Sequence, residues 1–359
     1  MRGVFFWEAA GLSLDRANPY GALLGRAMRE VGVELEAGHP ETLTKAWLHE
    51  NRGKIEVLHL NWPNYMYDAE DLVEQLGLLA GLIDNLALAR LLGYRIVWTV
   101  HNLYPHETNS RDLDHLAQTA ITHLAHAVIV HCEHARELVR THFHRTEGVY
   151  VINHGNFMYP YPNEVGRDEA RRRMGLSDEN FVFFYFGNVR RYKGIERLIE
   201  VFQSLPGAHL RLLLGAKFYT EYGQEVVASV PPDDPRVMLR SSRHFANDEF
   251  QYLFNVADVG VFPFLEVLTS GSVITAFSFG MPVIAPGVGC LTELVPPEAG
   301  IVYSAEDEEG LRRSMLEIQE RALRPMREAA WARAHSLDWG EIAVQTRKVY
   351  ATGKKYGDS

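Results

Sequence analysis

Apolar residues fall along the chain in short β-rich runs separated by longer stretches of helical spacing, the arrangement of parallel strands joined by crossover helices. In the first half the runs are GVFFW (3–7), IEVLHL (55–60), RIVWTV (95–100), AVIVH (127–131) and GVYVI (148–152), which predict five strands of one doubly wound sheet. Phe157 to Gly166, with MYPYPNEV at its centre, has no period of either kind and is rich in proline and polar residues, so it reads as a domain linker. The alternation then restarts. FVFFYFG (181–187), LRLLLG (210–215), RVML (236–239), DVGVFPF (258–264), PVIAP (282–286) and GIVY (300–303) predict a second sheet of similar size. The C-terminal stretch is rich in Arg, Glu and Ala with helical spacing and closes with LDWGEIAVQTRKVY. The pattern predicts an α/β protein of two similar domains in tandem, with a cleft between the carboxyl ends of their strands, where open parallel sheets bind ligands.

Composition adds exclusions. A length of 359 residues favours two domains, and 47% apolar with 23% charged residues is ordinary globular usage. With 36 basic against 46 acidic residues the formal net charge is -10, which argues against a nucleic-acid partner. Two cysteines, Cys132 and Cys290, are too few for a disulfide framework and suit a reducing cytoplasm. The N-terminal VFFWEAAGL is short and carries Glu8, unlike a signal peptide. The most lipid-like segment, Leu76 to Leu92, is interrupted by Asp84, Asn85 and Arg90, falls short of the ~20 apolar residues of a membrane span, and reads as a core helix.

The richest candidate site runs from Phe262 to Pro286. A buried strand ends at Phe264, and a loop carrying Glu266, Thr269, Ser270, Gly271 and Ser272 opens a helix. Small residues let a ligand approach the backbone, while unpaired N–H groups and the helix dipole favour an anion, so the loop reads as a diphosphate cradle; alone, it reads equally as an ordinary N-cap at Thr269 or Ser270. The first strand of the same domain ends in FGNVRRYKG, which sets Arg190, Arg191 and Lys193 on the same rim. Cations facing a helix N-terminus suit the charges of a nucleoside diphosphate. In the first half, His101 follows the strand RIVWTV at its carboxyl end, and His154 lies at a comparable rim. Trp62, Tyr65 and Tyr67 follow the second apolar run, where aromatic faces stack on sugars or pack into the core. Gly11 and the NPYG of residues 18–21 precede a helix, with proline suited to its first position. Neither HNLYPHE, with His101, His106 and Glu107, nor HCEH, with His131 and His134, has the spacing of a zinc site.

FGNVRRYKGIERLIEVF, DEFQYLFNVADVGVFPF, the SGS…FGMPVIAPGVG run and the closing LDWGEIAVQTRKVY resemble the donor-binding half of nucleotide-sugar glycosyltransferases of the GT-B architecture and family 4 type. HLNWPN, TVHNLYPHE and NHGNF are weaker echoes in the half that binds the acceptor in that family. The resemblance implies two Rossmann-like domains: residues 1–160 for the acceptor, a linker at 161–179, residues 180–340 for the donor, and a C-terminal helix at 341–359 crossing back to the first domain. It implies transfer of a sugar from a UDP- or GDP-type donor to a hydroxyl, in polysaccharide or glycolipid synthesis. Arg190 and Lys193 then lie on the donor phosphates with Thr269, Ser270, Gly271 and Ser272 beneath them. SSRHFANDE, with a helix starting at Asn247, brackets the base through His244 and Phe245.

Two positions depart from the family pattern of Glu, seven residues, Glu. The second falls on Thr275 and the first on Val267, with Glu266 one place away; Thr275 can bond a ribose hydroxyl but lacks a carboxylate's two acceptors. The arginine usual two residues after the strand phenylalanine is Asn188 here. Retention of configuration requires no protein base and leaves His101 to contact the transferred sugar, whereas inversion needs His101, Glu107 or Glu8 to deprotonate the acceptor. Trp62, Tyr65 and His154 are the acceptor candidates. No Asp-x-Asp pair stands near the cradle, so neither metal nor other cofactor is expected. The expected partners are the nucleotide-sugar and a lipid-linked or saccharide acceptor, with a cytoplasmic or inner-face peripheral location. The non-catalytic alternative is a two-lobed sugar-binding protein. A NAD-dependent dehydrogenase would need a G-x-G-x-x-G turn after a first strand, and neither domain supplies one.

Overall fold

The computed structural model describes residues 1–6, 12, 14, 18–105, 110–231, 234–242 and 245–352. The chain divides into two compact units, Met1–Gly155 with Asp338–Ser359, and Asn156–Leu337.

The first unit is a six-stranded sheet in the order β2-β1-β3-β4-β5-β6, with β1 Arg2–Phe6, β2 Glu34–Gly38, β3 Val57–Leu60, β4 Arg95–Thr99, β5 Ala127–Val130 and β6 Val149–Val151. Every pairing is parallel. β3, β4 and β5 are the apolar runs because helices cover both faces of a parallel sheet. The sixth strand, β2, has the sequence ELEAG, and of its residues only Leu35 and Gly38 are buried. An edge strand can carry glutamates at its exposed positions, so no apolar run announces it.

The helix Trp339–Ala351 belongs to this unit. Asp338 caps it by accepting from the Glu341 N–H at 2.9 Å. Its Ile342, Ala343, Val349 and Tyr350 enter the core that contains Phe5, Met28, Val57 and Val97. The Tyr350 hydroxyl lies 2.6 Å from His59 Nδ1, and His59 Nε2 lies 2.7 Å from Thr99 Oγ1. A fully buried imidazole is tolerable here because both nitrogens are paired.

Helix Leu72–Leu91 corrects the core-helix expectation. Asp71 caps it, and Gln75, Leu79, Leu82, Leu86 and Ala89 form its buried stripe. The other face leaves Leu72, Val73, Leu76 and Leu91 exposed, Val73 at 76%. At 20 residues, with a mean hydropathy of 1.4 in its most apolar stretch, it is long and apolar enough to cross a membrane by composition alone. Asp84 sits on the exposed side, where it pairs with Lys45 at 3.0 Å, so it interrupts the sequence run without ending the helix.

The second unit is a parallel six-stranded sheet in the order β12-β11-β10-β7-β8-β9. Its strands are β7 Phe181–Asn188, β8 Leu210–Lys217, β9 Val237–Ser241, β10 Val259–Val261, β11 Val283–Pro286 and β12 Gly300–Tyr303. The expected linker at 161–179 instead contains helix Arg167–Met174 and is part of this unit. A buried carboxylate is the physical reason. Asp258 accepts from Arg167 at 2.5 Å, from Arg171 at 2.8 Å and from the Val182 N–H at 2.8 Å, tying the helix to the start of β7. The strongly polar RDEARRRM conceals this anchor, because a buried arginine with a paired guanidinium looks like a solvated one in sequence.

Candidate functional site

In the second unit the carboxyl ends of β7 and β10 and the start of helix Gly271–Ser278 converge. Gly187, the penultimate residue of β7, has φ +151, and a Cβ there would meet Ser272 Oγ at 3.2 Å. The strand end therefore reaches the first turn of the helix only as glycine. Ser270 caps that helix, its Oγ accepting from the Val273 N–H at 3.3 Å, while the other first-turn N–H groups have no acceptor within the helix. The N-cap expected at Thr269 or Ser270 falls on Ser270. Thr269 Oγ1 lies 3.9 Å from Cys290 Sγ.

The Arg190–Lys193 turn is tied to the loop after β10 by the Leu265 N–H donating to the Tyr192 carbonyl at 2.8 Å. It closes at Gly194, φ +67, where a Cβ would lie 2.2 Å from the Pro263 carbonyl oxygen. Lys193 Nζ lies 4.2 Å from the Phe264 ring centre and 5.1 Å from that of Tyr192. Burial lowers its pKa to about 8. An ammonium held against aromatic faces with its charge penalised by desolvation gains strongly from an arriving anion.

The remaining residues expected at the donor separate into groups. Arg191 turns to the surface, pairing with Glu225 at 3.0 Å and stacking on Tyr222. Asn188 and Glu266 are exposed at the two loop ends. Thr275 is buried, and its hydroxyl donates to the Gly271 carbonyl at 2.8 Å, so its proton serves the helix rather than a ribose. Phe245 lies 6.1 Å from Phe186, beside the rings of Phe250 and Phe254 that pack on Phe186. The helix expected from Asn247 begins at Phe250, because Glu249 folds back to accept from the Ala246 N–H at 2.7 Å and holds 247–249 as a turn. His244 lies outside the described residues.

In the first unit the rim of the sheet carries a buried aromatic cluster. His101 is T-shaped to Tyr20 at 4.7 Å and tilted against Trp62 at 4.7 Å. His101 Nδ1 lies 3.3 Å from His131 Nε2, and His101 Nε2 lies 3.1 Å from Asn61 Oδ1. His154 donates from Nδ1 to the Gly155 carbonyl at 2.8 Å and packs 4.8 Å from Tyr20. Gly155 has no room for a side chain, since a Cβ would lie 2.2 Å from the Trp339 ring. Burial lowers the His131 pKa to about 4 and that of His154 to about 3; His101 is pushed well below the ordinary value by burial, then by its histidine neighbours. All three rings are neutral near pH 7. Tyr65 is exposed beside a shallow concavity lined by Phe6, Asn61, Trp62 and Met66 among others. Tyr67 is core, its hydroxyl donating to Asp114 at 3.0 Å. Glu8, Gly11, His106 and Glu107 lie outside the described residues.

Sequence reasoning missed Gly187, Tyr20, Asn61 and the role of His131. Gly187 had a signal in the FGN that ends β7, and Tyr20 in the NPYG start, where the Asn18 side chain accepts from the Tyr20 N–H at 3.1 Å. His131 was visible only as part of HCEH, whose obvious question was metal. Among the described residues no group of three or more His, Cys, Asp or Glu is arranged to hold a metal ion.

The sequence profile described as glycosyl transferases group 1 matches residues 180–321. The chain is similar to a GDP-mannose:glycolipid 4-beta-D-mannosyltransferase of Xanthomonas campestris pv. campestris, 26% identical over 278 residues, covering 74% of this chain and 71% of that protein. Its fold is similar to that of a sucrose-phosphate synthase from Thermosynechococcus elongatus, with TM-score 0.78, 19% identity and 98% of each chain covered. It is also similar to that of HepE from Anabaena in complex with UDP-glucose, with TM-score 0.73, 16% identity, and 98% and 100% covered. These findings support catalysis and not the two-lobed binding protein. Residues 180–321 carry the glycosyl transferases group 1 sequence signature, and the chain is a glycosyltransferase with the two Rossmann-like domains of the GT-B fold.

Proposed function

We propose that the enzyme transfers a hexose from a nucleoside-diphosphate sugar to a hydroxyl of a glycolipid, or of a growing saccharide, at a membrane surface. The observation that carries the donor reading is the convergence of Lys193, the Gly187 strand end and the Ser270–Ser272 helix start on one rim. In the reaction the bond from the anomeric carbon to the diphosphate oxygen breaks, a bond from the acceptor oxygen to that carbon forms, and the acceptor hydroxyl gives up its proton. The departing diphosphate gains negative charge. Lys193, Arg190 and the N–H groups of Gly271 and Ser272 neutralise it, which leaves no step needing a metal. Phe245 offers a face to the base, and Asn188 and Glu266 border the sugar and ribose. In the first unit, His101 faces the transferred sugar or accepts the acceptor proton, and Trp62, Tyr65 and His154 border the acceptor. GDP-mannose is the first donor to test because the relative by sequence is named for it, and UDP-glucose is the second because HepE binds it.

A lipid-bearing acceptor fits the outward Leu72, Val73 and Leu76, which follow directly in sequence on the loop carrying Trp62 and Tyr65. An apolar helix face set against the inner leaflet would hold the enzyme beside its acceptor without spanning the bilayer. The test uses vesicles containing a lipid-linked saccharide and labelled GDP-mannose or UDP-glucose, with and without EDTA. Label should pass to the lipid fraction at a rate unchanged by EDTA, and the protein should float with the vesicles. Turnover lost in EDTA and restored by manganese would overturn the metal-free reading. Protein left in the soluble fraction, with full activity on a short water-soluble glycoside, would remove the membrane.

A further inference from the structure

We infer that His131 is a positioning residue that fixes the tautomer of His101; the functional consequence rests on the role proposed above for His101. The two histidines and Ile152 stand on neighbouring parallel strands. Continuing the registers Thr99↔Ile129 and Val130↔Val151 past the strand ends puts residues 101, 131 and 152 in one row across β4, β5 and β6. His131 Nδ1 is 2.9 Å from the Ile152 carbonyl, which can only accept, so the His131 proton sits on Nδ1. Its ring is buried and neutral, which leaves Nε2 as an acceptor. The nitrogen 3.3 Å away, His101 Nδ1, must therefore carry the His101 proton. His101 is neutral as well, so its Nε2 presents a lone pair. The Asn61 carboxamide 3.1 Å from it then turns its amino group toward the ring, in place of the long 3.4 Å bond that this amide otherwise donates to the Phe6 carbonyl.

Tyr20 and Trp62, each 4.7 Å from His101, hold the plane of the ring while His131 sets which nitrogen is protonated. A His101 so held cannot donate through Nε2; its one lone pair there faces Asn61 and accepts from a sugar hydroxyl only where that hydroxyl displaces the Asn61 amide. This also gives HCEH a reading other than metal binding.

Long-range proton–nitrogen spectra of the full chain, labelled at histidine nitrogens, test the assignment. At pH 7 both His101 and His131 should show protonated Nδ1 and unprotonated Nε2. In His131→Phe, which keeps an aromatic ring but removes the acceptor, the His101 signals should move toward the Nε2–H form. Turnover should fall roughly ten- to hundredfold with the donor KM within about twofold, the range for partners that orient a functional histidine. His131→Gln, which restores an acceptor, should recover part of both. A protonated His131 Nε2 in the wild type, or an unchanged His101 tautomer in His131→Phe, would overturn the inference. Full turnover in His101→Ala would instead overturn the role of His101, while the spectra still decide the tautomer.

Discussion

Lys193 is charged at a cost in the unliganded protein. Its folded-state pKa of about 8 lies below the ordinary 10.5, so the unfolded chain binds more protons, and stability rises as pH climbs from 8 to 10.5. Below pH 8 the full penalty is present. Lys193→Met should therefore raise the melting temperature at pH 7 while weakening nucleoside-diphosphate binding at least tenfold, from the loss of a charged contact worth ~1.5–3 kcal/mol. A thermal melt and a titration on the same sample check both signs. In the wild type an arriving diphosphate raises the lysine pKa, so binding near pH 8 should take up protons, and affinity should fall as pH passes 8. Calorimetry in buffers of different ionisation enthalpy measures the uptake. Equal apparent enthalpies in those buffers would count against Lys193 as the phosphate cation. At this scale the position of Arg190 and Lys193 just past β7 and the helix cap at Ser270 were legible in FGNVRRYKG and LTSGS, because a strand end and a serine before an apolar helical run are local signals. That the Thr275 hydroxyl donates to its own helix was not legible, since a threonine bonded in that way and one that is not share the same letter.

Helix Trp339–Ala351 is held to the first unit by Tyr350 and His59. Tyr350→Phe should cost about 1–3 kcal/mol, because it strands a buried imidazole nitrogen rather than merely deleting one bond. The loss should appear in a urea melt as a lower midpoint with an unchanged slope. The same buried histidines set an acid limit. His59, His131 and His154 have folded pKa values of about 3, 4 and 3 against an unfolded value of 6.5, so the unfolded chain gains protons first as pH falls. Their contribution is complete above pH 6.5 and is lost progressively down to about pH 3–4. Unfolding followed at falling pH should show the first unit destabilising from pH 6.5 downward; flat stability to pH 4 would contradict neutral burial of these rings. Eleven of the twelve strands among the described residues were legible because parallel strands covered on both faces are nearly unbroken apolar runs. β2 was not, because its edge position leaves its glutamates in water. Helix Arg167–Met174 was taken for linker because its anchor, Asp258, lies far away in sequence.

For the whole molecule, the family motifs lie in residues 180–321 and the repeated βα pattern covers the rest, so fold and reaction class were both within reach of the sequence. The first unit was harder to read. Its buried cluster is assembled from Tyr20, Asn61, His101, His131 and His154, single residues at successive strand and helix ends that converge only when the parallel sheet forms. Isothermal titration of the whole chain with GDP and with UDP tests the donor rim proposed for the second unit most directly. We expect saturable binding of at least one of the two nucleotides without added metal, weakened tenfold or more in Arg190→Ala and in Lys193→Ala. Unchanged affinity in both variants would contradict the assignment of the diphosphate to this rim.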